Sequence, residues 1–216
     1  MVMVSESAAN LRRNLREIAE QHNLSRTLGD YLDSYFAEVE LTDASEASPE
    51  ALLGAALQHY RLGEARPAAQ AAVTLYTPDF DRHGWHSPHT VIDDMPFLVD
   101  SITMVVYRYG LVIHRLLHPL LAAERSPDGV LQRTQPRGAA GSQAESWIHL
   151  EIDRVGDAAL SEALHREIVA ALADVRAAVE DGPAMQRKMR EAHAAMLAAN
   201  APESDEAAAY LQWLSA

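Results

Sequence analysis

The chain has 216 residues, no cysteine, and 18 basic against 31 acidic side chains, a formal net charge of −13. That charge repels phosphate backbones and excludes nucleic acid as an expected partner, and the missing thiols exclude disulfides, thiolate catalysis and Cys-based zinc sites, which fits a reducing cytoplasm. A hydrophobic content of 48% is enough for one substantial core, but the N-terminus lacks the basic flank and apolar run of a signal peptide, and His114, Arg115 and His118 break the most apolar later run before it reaches the ~20 residues that span a bilayer.

Residues 6–38 and 49–63 read as helices. Leu11, Leu15 and Ile18 share a face, Gly29 and the acidic, Ser-rich stretch 41–48 interrupt the pattern, and Ser48-Pro49-Glu50 is a start signal before Leu52, Leu53, Ala56 and Leu57. Ala71 to Thr77 is a β-branched and aromatic run stopped by Pro78-Asp79, and His89-Thr90-Val91-Ile92 is a second, short strand after the loop 81–88, so a hairpin is expected. It leads into Asp93-Asp94-Met95-Pro96-Phe97-Leu98-Val99-Asp100-Ser101. Acids ahead of a first turn accept orphan N–H groups, proline is pre-set for that turn, and carboxylates there offset the helix dipole. Leu98, Ile102, Val105 and Tyr109 then recur at helical spacing up to Gly110, a cap residue.

Leu111 to Leu121 reads as a third strand, with the adjacent Leu116 and Leu117 pointing to a bulge. Residues 126–144 offer a turn at Ser126-Pro127-Asp128-Gly129 and a short return at Val130-Leu131, and are otherwise expected to be irregular. Trp147 to Asp153 alternates, with Ile148, Leu150 and Ile152 on one face and Trp147, His149, Glu151 and Asp153 on the other. Leu160, Leu164, Ile168, Leu172, Val175 and Val179 stripe a helix over 157–180 with Gly182-Pro183 as its stop, and further helices are expected over 184–199 and 203–214.

The order predicts an α+β fold, a permuted ferredoxin-like antiparallel sheet (ββαββα) with both helices on one face. Its regions are a helical annex over 1–68, the α+β domain over 69–182 and C-terminal helices over 183–216. Annex helices or another chain must cover the second face, where Trp147 lies. The apolar Tyr210-Leu211-Gln212-Trp213-Leu214 ending points to a longer parent chain.

Asp93 and Asp94 have the chemistry of a general-acid pair, or of a metal or ammonium site; the plainer reading is helix capping, which also suits Asp100 and Ser101. His83, His86 and His89 have an H-x2-H-x2-H spacing that suits zinc or nickel, against a plain polar loop. His114 and His118 share a face with His149 opposite, a pH-sensing or simply solvated group. Arg187, Lys188 and Arg190 read as a solvated helix face. The chain carries no P-loop, dinucleotide-binding glycine fingerprint, G-x-S-x-G or H-E-x-x-H.

Asp94-Met95-Pro96-Phe97-Leu98 followed by Tyr109-Gly110-Leu111-Val112-Ile113 resembles the D-x-P-G-L then G-x-x-I pattern of ACT regulatory domains, ferredoxin-like folds that often bind amino acids and pair through their sheets. His89-Thr90-Val91, the stretch 93–101, His118-Pro119 and Glu145-Ser146-Trp147-Ile148-His149-Leu150-Glu151-Ile152-Asp153 together resemble the N-terminal region of the large bacterial NAD-dependent glutamate dehydrogenases over residues 25–216. The resemblance implies an ACT-like segment without catalytic residues, bound cofactor or metal of its own. It also implies downstream domains that use NAD to deaminate L-glutamate, and a large homo-oligomer assembled through the open sheet face. An amino-acid effector at Asp93, Asp94, Met95 and Phe97 is the alternative. Two departures bear on this: the second strand is short for the family, and Phe97 stands where amino-acid-binding ACT domains usually carry Gly.

Overall fold

The computed structural model describes residues 13–18, 26–37, 48–77, 85–138, 142–199 and 204–214. They fall into two compact units, Met1–Ala173 and Asp174–Ala216. The described residues within 1–68 fall in the same unit as the sheet. The division between the units, after Ala173, lies inside a helix.

In the first unit, residues 13–18 are helical, followed by α1 (Arg26–Tyr35) and α2 (Pro49–Gly63). The Ser48 hydroxyl accepts the Ala51 N–H at 3.2 Å ahead of Pro49, the cap expected from the sequence. Gly29 lies inside α1 and does not interrupt it. The sheet comprises β1 (Ala72–Tyr76), β2 (Ser87–Asp93), β3 (Ile113–Leu117), β4 (Leu120–Arg125), β5 (Leu131–Pro136) and β6 (Gln143–Ile152). Its order is β1-β2-β6-β4-β5, with β3 also on β6 and every pairing antiparallel. β1 therefore occupies the place of the last strand of a ferredoxin-like sheet, as the permuted reading expects.

The third predicted strand is split. β3 and β4 lie end to end along β6, separated by His118-Pro119, where the Trp147 N–H turns to the Pro119 carbonyl at 3.0 Å. Pro119 has no N–H to give to a ladder. The register shift falls between Ile113 and Arg115, ahead of the Leu116-Leu117 pair. β2 spans seven residues and pairs on both sides, which removes the difficulty of a short second strand. The Ser126 to Gly129 turn forms, and the chain beyond it returns as β5, where an irregular segment was expected.

α3 (Leu98–Arg108) ends in Gly110 at φ +71, whose N–H bonds Tyr107 O while that of Leu111 bonds Val106 O, a Schellman closure that a left-handed glycine permits. α3 and the first part of α4 (Ala158–Ala199) are joined by Tyr109 Oη to Glu167 at 2.8 Å and by an Arg108–Glu167 ion pair. Their buried Leu98, Ile102, Val105, Val106, Leu164, Ile168 and Leu172 face the sheet side that carries Ile92, Ile148, Leu150 and Ile152. The other side, with Val91, Leu117, Leu121 and Trp147, is filled by Leu15, Tyr31, Leu32, Tyr35, Phe36, Leu52, Leu53 and Ala56. The chain's own helices thus cover the face offered for docking, and a sheet-to-sheet contact there is ruled out in this conformation.

The second unit holds the rest of α4 and α5 (Ser204–Leu214). Pro183 lies inside α4, so the predicted stop at Gly182-Pro183 fails and 157–180 and 184–199 form one helix. Its neighbours Glu180, Asp181 and Ala184 are exposed, which lets water take the carbonyl that the proline leaves unbonded.

Candidate functional site

The acidic junction is assembled differently from a helix cap. Asp93 is the last residue of β2, and the backbone then spends Asp94, Met95, Pro96 and Phe97 in a turn before α3 begins. The residue at the helix mouth is Phe97, in the left-handed region at φ 73, with no side-chain cap. Capping by Asp93 and Asp94 is therefore corrected: both carboxylates point back into the sheet. Met95 is half-buried and the Phe97 side chain is 64% exposed. A left-handed non-glycine residue is strained, so Phe97→Gly should stabilise the fold by about 1 kcal/mol, read as a raised urea midpoint. A lowered midpoint would show that the ring holds the junction in place.

Asp93 sits opposite Glu145 in the β2–β6 ladder, and Arg66 bridges the two, Nη2 lying 2.5 Å from Asp93 Oδ1 and 2.6 Å from Glu145 Oε1. Arg125 adds Nε at 2.6 Å and Nη2 at 2.9 Å to Glu145, which also accepts Trp147 Nε1–H at 3.2 Å. Burial pushes the Glu145 carboxyl up, but the Arg125 and Arg66 guanidinium groups outweigh it and hold the group below the usual carboxylate range. Two cations and two anions cancel inside the fold. Arg66 also donates to Gln70 O and Arg125 to Gly63 O, so the network ties the end of α2 to the sheet.

On the opposite face, the Ser146 hydroxyl donates to Asp94 Oδ1 at 2.7 Å, and His118 Nε2–H donates to Ser146 Oγ at 3.0 Å. The serine proton rests on the aspartate, the reverse of the order by which a histidine activates a serine nucleophile. Burial lowers the His118 pKa; Asp94 opposes the shift and Arg137, 3.7 Å from Asp94, adds to it.

The predicted histidine groups separate. His83 lies outside the described residues; His86 accepts the Val155 N–H at 3.2 Å, while His89 is buried in β2. His114 bonds Asp153 at 2.8 Å and stacks on Trp85 with ring centroids 4.2 Å apart, away from His118. His149 pairs with His89 instead, and His89 stacks on His59 of α2. Neither His59 nor Arg66 was singled out from the sequence. The available signal was parity: His149 and Glu145 alternate in phase with Trp147, on a face that must be covered, and a buried acid there demands a cation.

A dinucleotide pyrophosphate needs close backbone approach at glycine and open N–H groups at a helix N-terminus. The β2–α3 turn presents Asp94 and Phe97 and the first turn of α3 presents Asp100 instead, so these residues do not fit NAD.

A permuted, helix-covered ferredoxin-like sheet of this kind defines an ACT-like domain. The family model for the glutamate dehydrogenase ACT1 domain matches residues 31–168. The chain is 34% identical over 96% of its length to the NAD-specific glutamate dehydrogenase of Pseudomonas aeruginosa, and 31% identical over 99% to that of Halomonas elongata. The Mycobacterium tuberculosis enzyme of the same description is 30% identical over 85% of the chain. The chain belongs to the NAD-specific glutamate dehydrogenase family, as its ACT1 region, and spans 14% of the length of the first two relatives. No helix among the described residues is long and apolar enough to cross a membrane.

Proposed function

We propose that this chain is the N-terminal, non-catalytic assembly and regulatory segment of a cytoplasmic, homo-oligomeric NAD-dependent glutamate dehydrogenase. The parent would convert L-glutamate, NAD and water to 2-oxoglutarate, ammonium and NADH, with NAD held by downstream domains. The acids at the junction are already engaged, Asp93 by Arg66 and Asp94 by Ser146, which supports a structural use of the junction over the binding of an amino-acid effector.

The observation that carries the assembly role is the outer side of α3. Met104 and Tyr107, three residues apart on one side of α3, are 65% and 61% exposed, and Phe97 at the mouth of the helix is 64% exposed. Large apolar side chains aligned in solvent mark a contact surface, and with the second sheet face covered this is the side on which the segment would dock against the rest of its assembly. Met104→Glu with Tyr107→Glu in the parent enzyme is expected to lower the assembled mass measured by light scattering.

A further inference from the structure

Three imidazoles from three elements meet under the helical cover. His59 of α2, His89 of β2 and His149 of β6 are each at most 1% exposed, with ring centroids 4.6 Å apart for His59–His89 and 4.5 Å for His89–His149. His59 Nε2–H donates to Thr90 O at 3.0 Å, so its Nδ1 accepts the hydroxyl proton of Tyr35 of α1, also at 3.0 Å. His89 Nε2 and His149 Nδ1 face each other in a hydrogen bond, so one carries the hydrogen and the other the lone pair. His89 Nδ1 has no hydrogen-bond partner among the described residues, and His149 Nε2 lies 3.5 Å from Glu151 Oε1. The remaining polar neighbours are Tyr76 of β1, edge-on to His89 at 5.0 Å, and Arg115 of β3, which holds Glu151 at 2.7 Å.

For His59 and His89 this arrangement is complete only when the rings are neutral, whereas His149 Nε2 faces the Glu151 carboxylate. A proton on His59 Nδ1 turns the acceptor of the Tyr35 hydroxyl into a second donor; one on the facing nitrogens of His89 and His149 sets two donors against each other; one on His89 Nδ1 is a buried charge without a partner. We propose that the cluster is an acid latch: proton uptake by His59 and His89 releases the cover made by α1 and α2 from the sheet, while the side packed against α3 and the first part of α4 stays closed. The two faces differ in the way this requires. The α3 side is held by Ile92, Ile148, Leu150 and Ile152, and His118 there has a carboxylate neighbour in Asp94. Opening the latch would bare Val91, Leu117 and Trp147, the face that is closed at neutral pH.

Burial depresses the His59 pKa to about 3 and that of His89 well below the ordinary histidine value, with neighbouring imidazoles adding to both shifts. The closed form therefore binds fewer protons than the open one, and its stability falls as pH drops below about 6.5, the unperturbed value. From pH 7.5 to 5.0 the opening equilibrium should rise about 30-fold for each imidazole that must charge.

Hydrogen–deuterium exchange read by mass spectrometry on the intact protein tests this, with rates corrected for intrinsic pH dependence. Peptides within 49–63 should open at least about 30-fold more at pH 5.0 than at pH 7.5, while those within 98–108 change less than about threefold. His89→Phe, which keeps a ring against His59 and Tyr76, should remove about 30-fold of the rise. A flat response in 49–63, or an equal rise in both segments, would overturn the proposal, and this wild-type comparison decides it even if His89→Phe fails to fold. A folded His89→Phe protein with an undiminished rise would equally overturn it.

Discussion

Glu145→Ala should cost about 3–5 kcal/mol of folding stability, the range for removing one partner of a buried ion pair. Glu145 is 1% exposed and accepts from Arg66, Arg125 and Trp147. Truncation leaves the Arg125 guanidinium without its carboxylate and reduces Arg66 to Asp93 alone, under a cover that keeps water out. Glu145→Gln should recover part of the loss, because the amide carbonyl still accepts from one guanidinium. The exposed Arg108–Glu167 pair makes the contrast: with side chains 66% and 42% exposed, Arg108→Ala should cost no more than about 1 kcal/mol. Urea denaturation followed by circular dichroism measures both, and a Glu145→Ala loss below about 1 kcal/mol would mean that the network is not the clamp described. The pH dependence has a definite sign. A carboxyl held below its unfolded value stabilises the fold above that value, about pH 4.3, and the contribution is lost as pH falls below it. Its window therefore lies below that of the histidine latch.

Gly63→Ala should be nearly as damaging, at about 3 kcal/mol, the upper part of the range for overpacking a core. A Cβ at Gly63 would lie 2.1 Å from Trp147 Cη2 and below 3 Å from two further ring atoms. The indole cannot yield, because it is fully buried with Tyr31 at 5.3 Å and His59 at 5.1 Å between ring centroids. Gly54 supplies the control: it lies in the same helix with nothing among the described residues within 4 Å of an added Cβ, so Gly54→Ala should stabilise by about 0.5–1 kcal/mol. Opposite signs for the same change in one helix would establish close approach to Trp147 as the cause. Trp147→Phe in the Gly63→Ala background should restore part of the loss, since it removes the ring atoms that the new methyl meets.

The sheet was legible where side chains carry its period. β6 alternates because one of its faces carries Ile148, Leu150 and Ile152 and the other carries Glu145, Trp147, His149 and Glu151, and the helix stripes of α3 and α4 follow from one apolar face in the same way. β5 was not legible, because Leu-Gln-Arg-Thr-Gln-Pro at 131–136 has no apolar alternation and joins the sheet at an edge through backbone bonds to β4. The run through α4 past Pro183 was missed because a proline inside a helix can kink it without ending it. At the junction the types of residue were informative and their roles were not. Acid followed by proline reads as a cap, yet four residues of turn separate Asp93 from α3, and its partner Arg66 lies 27 positions away. Local patterns cannot report a pairing set by tertiary packing. The position of Phe97 is instructive in the same way: its left-handed backbone is one that glycine adopts freely, which accounts for the glycine expected there in amino-acid-binding relatives of the fold.

We propose that this segment serves its parent through contact and assembly. The most direct test is the mass of the parent enzyme in solution, by light scattering at fixed concentration, with and without Met104→Glu and Tyr107→Glu. Both positions are exposed, so the fold should persist in the circular dichroism spectrum. A smaller assembly with a folded segment is the expected result; an unchanged mass with both charges in place would overturn the assembly role.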